Sequence, residues 1–341
     1  MTVIQQAPQS ANAYQAHSAL SHLYLRIGRF HDAQAQILAM LAARPDAPDL
    51  ANVRSLFALL GSDPDLKVSS SRPASVQSET IDGNVFMPVV VNSLARSYMV
   101  DTGLNISLMS ELEAAHLGLT AQFSTTRLSD INGLNGPELR LVEVKNLVIG
   151  ATHIRNVPFL VVADTNGAFV RVPKDQHAIL GIQPLLALGS LGFHTDGTLR
   201  VANKAERSIA TAPLFFEGEL PLTQIDFEDR PLTVTFDTGA TQTTINPAFA
   251  KLYPQLLRSG STESHTMNGL SGTTAQRSLS LPNLNFRFGR EVHLKPAVIL
   301  LDQTTGASAW AAANLGYDVM QQARPFTVNF RSMRIEFTKT N

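Results

Sequence analysis

Tyr98-Met99-Val100-Asp101-Thr102-Gly103 returns 136 residues later (237 − 101) as Val234-Thr235-Phe236-Asp237-Thr238-Gly239, an apolar run closed each time by Asp-Thr-Gly. Two further landmarks keep step with it. Asn132-Gly133-Leu134-Asn135-Gly136 recurs as Asn268-Gly269-Leu270-Ser271-Gly272 at the same offset (268 − 132), and Ile179-Leu180-Gly181 recurs as Asn314-Leu315-Gly316 at 135 (314 − 179). A single Asp-Thr-Gly triplet is expected by chance on the order of 0.1 times in a chain of this length. Three landmarks in one order with one spacing mark an internal duplication. Each triplet also leads into a helix start. Ser110 and Glu113 have the spacing of a capping box, and Asn246 with Pro247 occupies cap and first-turn positions.

Around these landmarks the chain runs in short apolar stretches punctuated by Gly, Pro, Asn and Asp: Val85 to Val91, Leu141 to Ile149, Val157 to Ala163, Leu232 to Phe236, Val298 to Leu301 and Phe326 to Phe330. Their length and β-branched content predict strands of a mainly β architecture, divided into lobes at 81–205 and 206–341. Ahead of them, Ala11 to Leu60 has the helical rhythm. Leu20, Leu23, Tyr24 and Ile27 form one run, Ala33, Ile37, Met40 and Leu41 a second after Gly28, and Leu56, Leu59 and Leu60 a third. Residues 11–61 are therefore expected to form a small α-helical N-terminal domain. The pattern Leu20, Tyr24, Gly28, Phe30, Ala33, Pro45 resembles one tetratricopeptide repeat. A single repeat cannot bury its own apolar faces, so it must dock on the body of the chain, on a second copy or on a protein partner. Between head and lobes, residues 62–80 carry six serines, two prolines and no aromatic residue, the composition of a linker.

Composition narrows the function. The chain has 341 residues, 27 basic against 28 acidic side chains and a net charge of −1, so charge gives no footprint for nucleic acid or an anionic membrane. No apolar stretch reaches the roughly 18 to 20 residues of a membrane helix. Cysteine is absent, which excludes disulfides, thiol nucleophiles, thiolate zinc and iron–sulfur chemistry. That absence suits an exported protein, periplasmic or secreted. Met1 to Ser10 has neither a basic nor an apolar leader region, which leaves either a removed leader or a cytoplasmic location. The nine histidines show no zinc-binding helical frame, Ser190 in Leu188-Gly189-Ser190-Leu191-Gly192 does not fit a nucleophile elbow, and no phosphate loop is present. Metal and nucleotide chemistry have no support in the sequence.

A strand ending in Asp-Thr-Gly, a Gly-containing hairpin about thirty residues on and an apolar-apolar-Gly triplet together resemble the aspartic peptidase superfamily. The likeness is to bacterial retropepsin-like domains, here with two copies in one chain. The resemblance implies a bilobal fold of two retropepsin-like β-barrel lobes, a peptide or protein substrate in the cleft between them, no cofactor, and aspartic endopeptidase activity. Such a chain is competent as a monomer because both half-sites are encoded, while dimerisation through the head stays open. Asp101 and Asp237 are then the catalytic pair. Two carboxyls that close cannot both ionise, so they share one proton between the base and acid roles. Gly103 and Gly239 let the backbone turn tightly beneath them, and by resemblance Thr102 and Thr238 cross-link the two loops. Asn132, Gly133, Leu134 and Gly136, with Asn268, Gly269, Leu270 and Gly272, are candidate flaps; neither segment holds a tyrosine. After each glycine stands Leu104 or Ala240 in place of a hydroxyl residue, which removes a donor from each carboxylate and predicts an optimum at mildly acidic or neutral pH. The alternative reading is a non-catalytic peptide-binding scaffold on the same fold.

Overall fold

The computed structural model describes all residues except 1–2, 8–9, 45–47, 63, 130–134, 170–171, 174–175, 203–206, 270–271, 303–308 and 340–341. It is mainly β, with a helical head and two lobes of like plan. The head consists of helices Ala11–Arg26, Phe30–Ala43 and Pro48–Leu60. Ser10 caps the first by accepting the Ala13 N–H. Gly28 turns the chain at a φ of +73°, with Leu66 packed where a side chain would stand.

The apolar stripes of these helices do not form a core of their own. Leu25, Phe30, Ala33, Ile37, Met40, Phe57 and Leu60 share one buried cluster with Phe86, Met99, Leu108, Leu160 and Ile179 of the first lobe. A second set of contacts reaches the other lobe. His22 Nδ1 pairs with Glu219 at 2.7 Å, the Arg26 guanidinium sits 4.2 Å from the Phe216 ring centre, and Arg26 donates to the Gly218 carbonyl. The head thus braces both lobes, and its inward apolar face is occupied by the chain itself.

Each lobe is built on a large twisted sheet. In the first, Leu94–Val100 lies between Asn84–Val91, antiparallel, and Ala178–Leu180, parallel. In the second, Arg230–Phe236 lies likewise between Leu220–Phe227 and Ala313–Leu315. Alternation assigns the faces: Tyr98 and Val100, like Val234 and Phe236, enter the main core, whereas Met99 and Thr235 look the other way. A third, six-stranded sheet joins the lobes. Its central pair is Ser190–Phe193 from the first lobe against Phe326–Asn329 from the second, with Ser190 opposite Asn329 and Phe193 opposite Phe326. A shift of 136 carries Ser190 onto Phe326 and Phe193 onto Asn329 (326 − 190, 329 − 193) and returns the same pairs. The pseudo-twofold axis therefore passes through this ladder.

Two expectations change. Residues 62–80 do not run as a free linker. Lys67–Ser70 pairs with Thr152–Arg155, Ala74–Gln77 with Thr198–Val201 at the outer edge of the interlobe sheet, and Glu79–Ile81 with Asn84–Val91. These strands are largely exposed, so their composition is polar and their identity comes from their partners rather than from apolar content. The run Leu141 to Ile149 is also broken, into strands Asn135–Val144 and Leu147–Ile149. At the break the Asn146 N–H donates to Asn92 Oδ1 at 3.1 Å, and Asn146 returns its carbonyl to the Asn92 N–H at 2.9 Å.

Candidate active site

Asp101 and Asp237 each follow the last residue of a central strand, and each is pinned from beneath by the triplet of its own lobe. The Asp101 N–H donates to the Leu180 carbonyl and the Asp237 N–H to the Leu315 carbonyl, both at 3.0 Å. The loops beyond them are held in the same way. Ile182 N–H donates to the Leu104 carbonyl at 2.8 Å, Tyr317 N–H to the Ala240 carbonyl at 2.7 Å, and the N–H groups of Gly181 and Gly316 donate to the hydroxyls of Ser107 and Thr243. The duplication in sequence is thus a duplication of hydrogen bonds.

The two loops meet at the axis. The Thr102 N–H donates to Thr238 Oγ1 and the Thr238 N–H to Thr102 Oγ1, both at 3.0 Å. Each hydroxyl then donates across the interface, Thr102 to the Phe236 carbonyl at 2.8 Å and Thr238 to the Val100 carbonyl at 2.9 Å. Both threonines are buried. The N–H and hydroxyl of each threonine are satisfied by the opposite lobe, so the lobes are locked in relative position directly below the carboxyls.

This lock sets the two carboxyls side by side at the lobe interface. Each lies against the glycine of the other loop. A Cβ at Gly103 would stand 2.7 Å from Asp237 Cγ, and a Cβ at Gly239 would collide with the Asp101 carboxyl. Only glycine permits that approach. Burial, then the neighbouring Asp237 charge, raises the Asp101 pKa well above the ordinary carboxylate value, although the N–H groups of Gly103 and Leu104 act in the opposite direction. Gly103 N–H donates to Asp101 Oδ1 at 2.8 Å. On the other side, Asp237 Oδ1 accepts from Gly239 N–H at 3.0 Å and Ala240 N–H at 3.2 Å.

The structure therefore brings Asp101, Thr102, Gly103, Asp237, Thr238 and Gly239 into one site. The flap candidates are only partly described. Asn132, Gly133, Leu134 and Leu270 lie outside the described residues, and Gly136 falls in strand Asn135–Val144. In the second lobe, strands Ser261–Gly269 and Gly272–Leu281 pair up to Asn268 opposite Thr273 and Gly269 opposite Gly272. Among the described residues no group of three or more His, Asp or Glu side chains could hold a metal ion, and no helix is long and apolar enough to cross a membrane.

One residue of the site goes unread in the sequence. Asn314 Nδ2 donates to Asp237 Oδ2 at 3.0 Å, so the donor expected to be missing after Ala240 arrives from the triplet instead. The expectation that both carboxylates lose a hydroxyl-type donor therefore fails for Asp237 and holds only on the Leu104 side. Its signal was the departure Asn-Leu-Gly from Ile-Leu-Gly between the two copies.

Residues 87–183 match the family model described as aspartyl protease. Among solved structures, a retropepsin-like aspartic protease from Rickettsia conorii is similar over 40% of this chain and 92% of its own, at 20% identity and a TM-score of 0.29. Basic 7S globulin from soybean is similar over 80% of this chain and 96% of its own, at 10% identity and a TM-score of 0.45. No curated protein sequence matches the chain. The family match ends just past the first Ile-Leu-Gly triplet, and the helical head with its tetratricopeptide likeness lies outside it. Residues 87–183 are thus similar to aspartyl proteases, and the hydrogen-bonded Asp-Thr-Gly loop that this stretch contains is repeated in the second lobe.

Proposed function

We propose that this chain is a single-chain aspartic endopeptidase that hydrolyses peptide bonds with a water activated between Asp101 and Asp237. The observation that carries the proposal is the reciprocal threonine lock, which holds each carboxyl against the glycine of the opposite loop at the lobe interface. In the resting site one carboxyl is ionised and the other protonated. The ionised member accepts a proton from the bound water as its oxygen attacks the scissile carbonyl carbon. The protonated member donates its hydrogen bond to the carbonyl oxygen, which becomes the hydroxyl of a tetrahedral gem-diol. Collapse of that species returns a proton to the departing amine and leaves the dyad with one proton again. The backbone N–H groups of Gly103, Gly239 and Ala240 steady the carboxylates throughout. An extended peptide would lie between the lobes, covered by the strand pairs Gln122–Ser129 with Asn135–Val144 and Ser261–Gly269 with Gly272–Leu281. The head, whose apolar face is engaged by the first lobe, serves as a brace for the two half-sites.

The test is cleavage of a denatured-protein or peptide pool between pH 3 and 8, read by mass spectrometry. Wild type should cut, and Asp101→Asn and Asp237→Asn should each fail to cut while keeping the wild-type circular dichroism spectrum. If wild type leaves the whole pool intact, the non-catalytic peptide-binding reading replaces this one.

A further inference from the structure

The two halves of the dyad are not equivalent, and the difference has a single source. In each lobe the first residue of the triplet stands opposite the residue two places before the aspartate: Ile179 opposite Met99, and Asn314 opposite Thr235. Both pairs face away from the main core, and in the second lobe that side reaches the Asp237 carboxylate. In the first lobe this pair is apolar and packs into the cluster shared with the head. In the second it is a polar relay. Thr235 Oγ1 donates to Asn314 Oδ1, and Asn314 Nδ2 donates to Asp237 Oδ2 at 3.0 Å.

The relay has a direction. The threonine hydroxyl has one proton and two acceptors within reach, the Ala313 carbonyl at 3.4 Å and, nearer, the Asn314 amide oxygen; closing on the nearer one turns the amide nitrogen toward the carboxylate. The reverse amide orientation would set an oxygen against Asp237 Oδ2, tolerable only if Asp237 held the proton. With the N–H groups of Gly239 and Ala240 on Oδ1, the Asp237 carboxylate accepts from three donors of its own lobe. Asp101 has backbone donors and Ile179 where Asp237 has Asn314.

Resting on the peptidase reading of this site, we infer that Asn314 is a positioning residue that fixes the charge on Asp237 and leaves the shared proton on Asp101. Asp237 is then the base toward water and Asp101 the acid toward the scissile carbonyl. The direction of the Asp101 shift, upward through burial and the neighbouring carboxyl, agrees with that assignment. The other charged group on the element that follows Asn314 is Asp318, which is taken up by the N–H and hydroxyl of Thr243.

The test uses Asn314→Ile, which gives the second lobe the residue that stands at the equivalent register position in the first, and Thr235→Val, which removes only the orienting hydroxyl. Because Asn314 stabilises the ionised form, its loss should raise the first apparent pKa of the dyad. The acidic limb of the kcat/KM profile should move up by about one pH unit in Asn314→Ile, and by a smaller step in the same direction in Thr235→Val. A uniform loss of rate with the limb unmoved would mean a merely structural role and overturns the inference. A second readout does not need turnover: titration of carboxyl-¹³C-aspartate-labelled protein by NMR, with the two signals assigned through Asp101→Asn and Asp237→Asn. The lower step should be carried mainly by Asp237 in wild type and more evenly in Asn314→Ile. If Asp101 carries it, or both carry it equally in wild type, the inference fails. If wild type proves unable to cut peptides yet titrates in this asymmetric way, the inference stands and the peptidase reading alone falls.

Discussion

Thr238→Val isolates half of the interlobe lock with little change of volume. The hydroxyl of Thr238 accepts from the Thr102 N–H at 3.0 Å and donates to the Val100 carbonyl at 2.9 Å, in a site where both threonines are buried. Valine fills the same space, so no cavity term arises, but it leaves one N–H and one carbonyl without partners. An orphaned buried polar group costs about 1–3 kcal/mol, so two cost about 3 kcal/mol, part of the sum being returned because the hydroxyl itself no longer needs desolvating. Unfolding entropy near the melting temperature is about 2.1 cal/mol/K per residue, or roughly 0.7 kcal/mol/K for 341 residues, so the midpoint should fall by about 4 °C. Thr238→Ser retains both hydrogen bonds and loses one methyl group, a cost of about 0.8 kcal/mol and therefore about 1 °C. Differential scanning calorimetry on the three proteins makes the comparison, free of thiol exchange because the chain has no cysteine. Should Thr238→Val and Thr238→Ser melt together within error, the hydroxyl bonds are not what joins the lobes, and the reasoning fails.

Gly239→Ala should abolish turnover with a smaller effect on melting than on rate, since the new Cβ would strike the Asp101 carboxyl rather than the core; a variant retaining half of wild-type kcat/KM would refute that geometry. The Glu219 hydrogen bond raises the His22 pKa above its ordinary 6.5. The stability it lends to head docking is therefore complete below the unfolded value and is lost as pH rises through the folded one. Because His22 is 45% exposed the effect is screened, a fraction of a kcal/mol at most. Hydrogen exchange in Ala11–Arg26 should accelerate from pH 6 to pH 8 beyond the intrinsic change, and His22→Gln should remove that excess. Phe30→Ala, at a side chain 1% exposed beneath the first lobe, should cost about 3–5 kcal/mol and loosen Asn84–Val91 together with the head. Denaturant unfolding followed separately at the head and at the first lobe would show otherwise if only the head responded.

The parts of this molecule that could be read in advance were local and doubled. Asp101 and Asp237 stood out because each closes a short apolar strand with a turn sequence, and the repetition at 136 converted a weak signal into a strong one. The three head helices followed from residue spacing for the same reason. What escaped depends on partners distant in sequence. Ala74–Gln77 is a strand only because Thr198–Val201 offers it an edge, and nothing in Ser190–Phe193 announces a ladder with Phe326–Asn329. Asn314 was visible as a letter but not as a contact. Its meaning required the fold to set it opposite Thr235, beside a carboxylate on the neighbouring loop.

The interlobe ladder has one more consequence. In an assembly of identical subunits every substitution appears on both sides of the axis, so a change that suits one aspartate is imposed on its twin. Here Ser190–Phe193 and Phe326–Asn329 keep the geometry of such an assembly while the gene keeps two separate copies of each wall. Drift could therefore grease one wall for the helices and wet the other for a single amide, without asking either acid to accept what was selected for its mate.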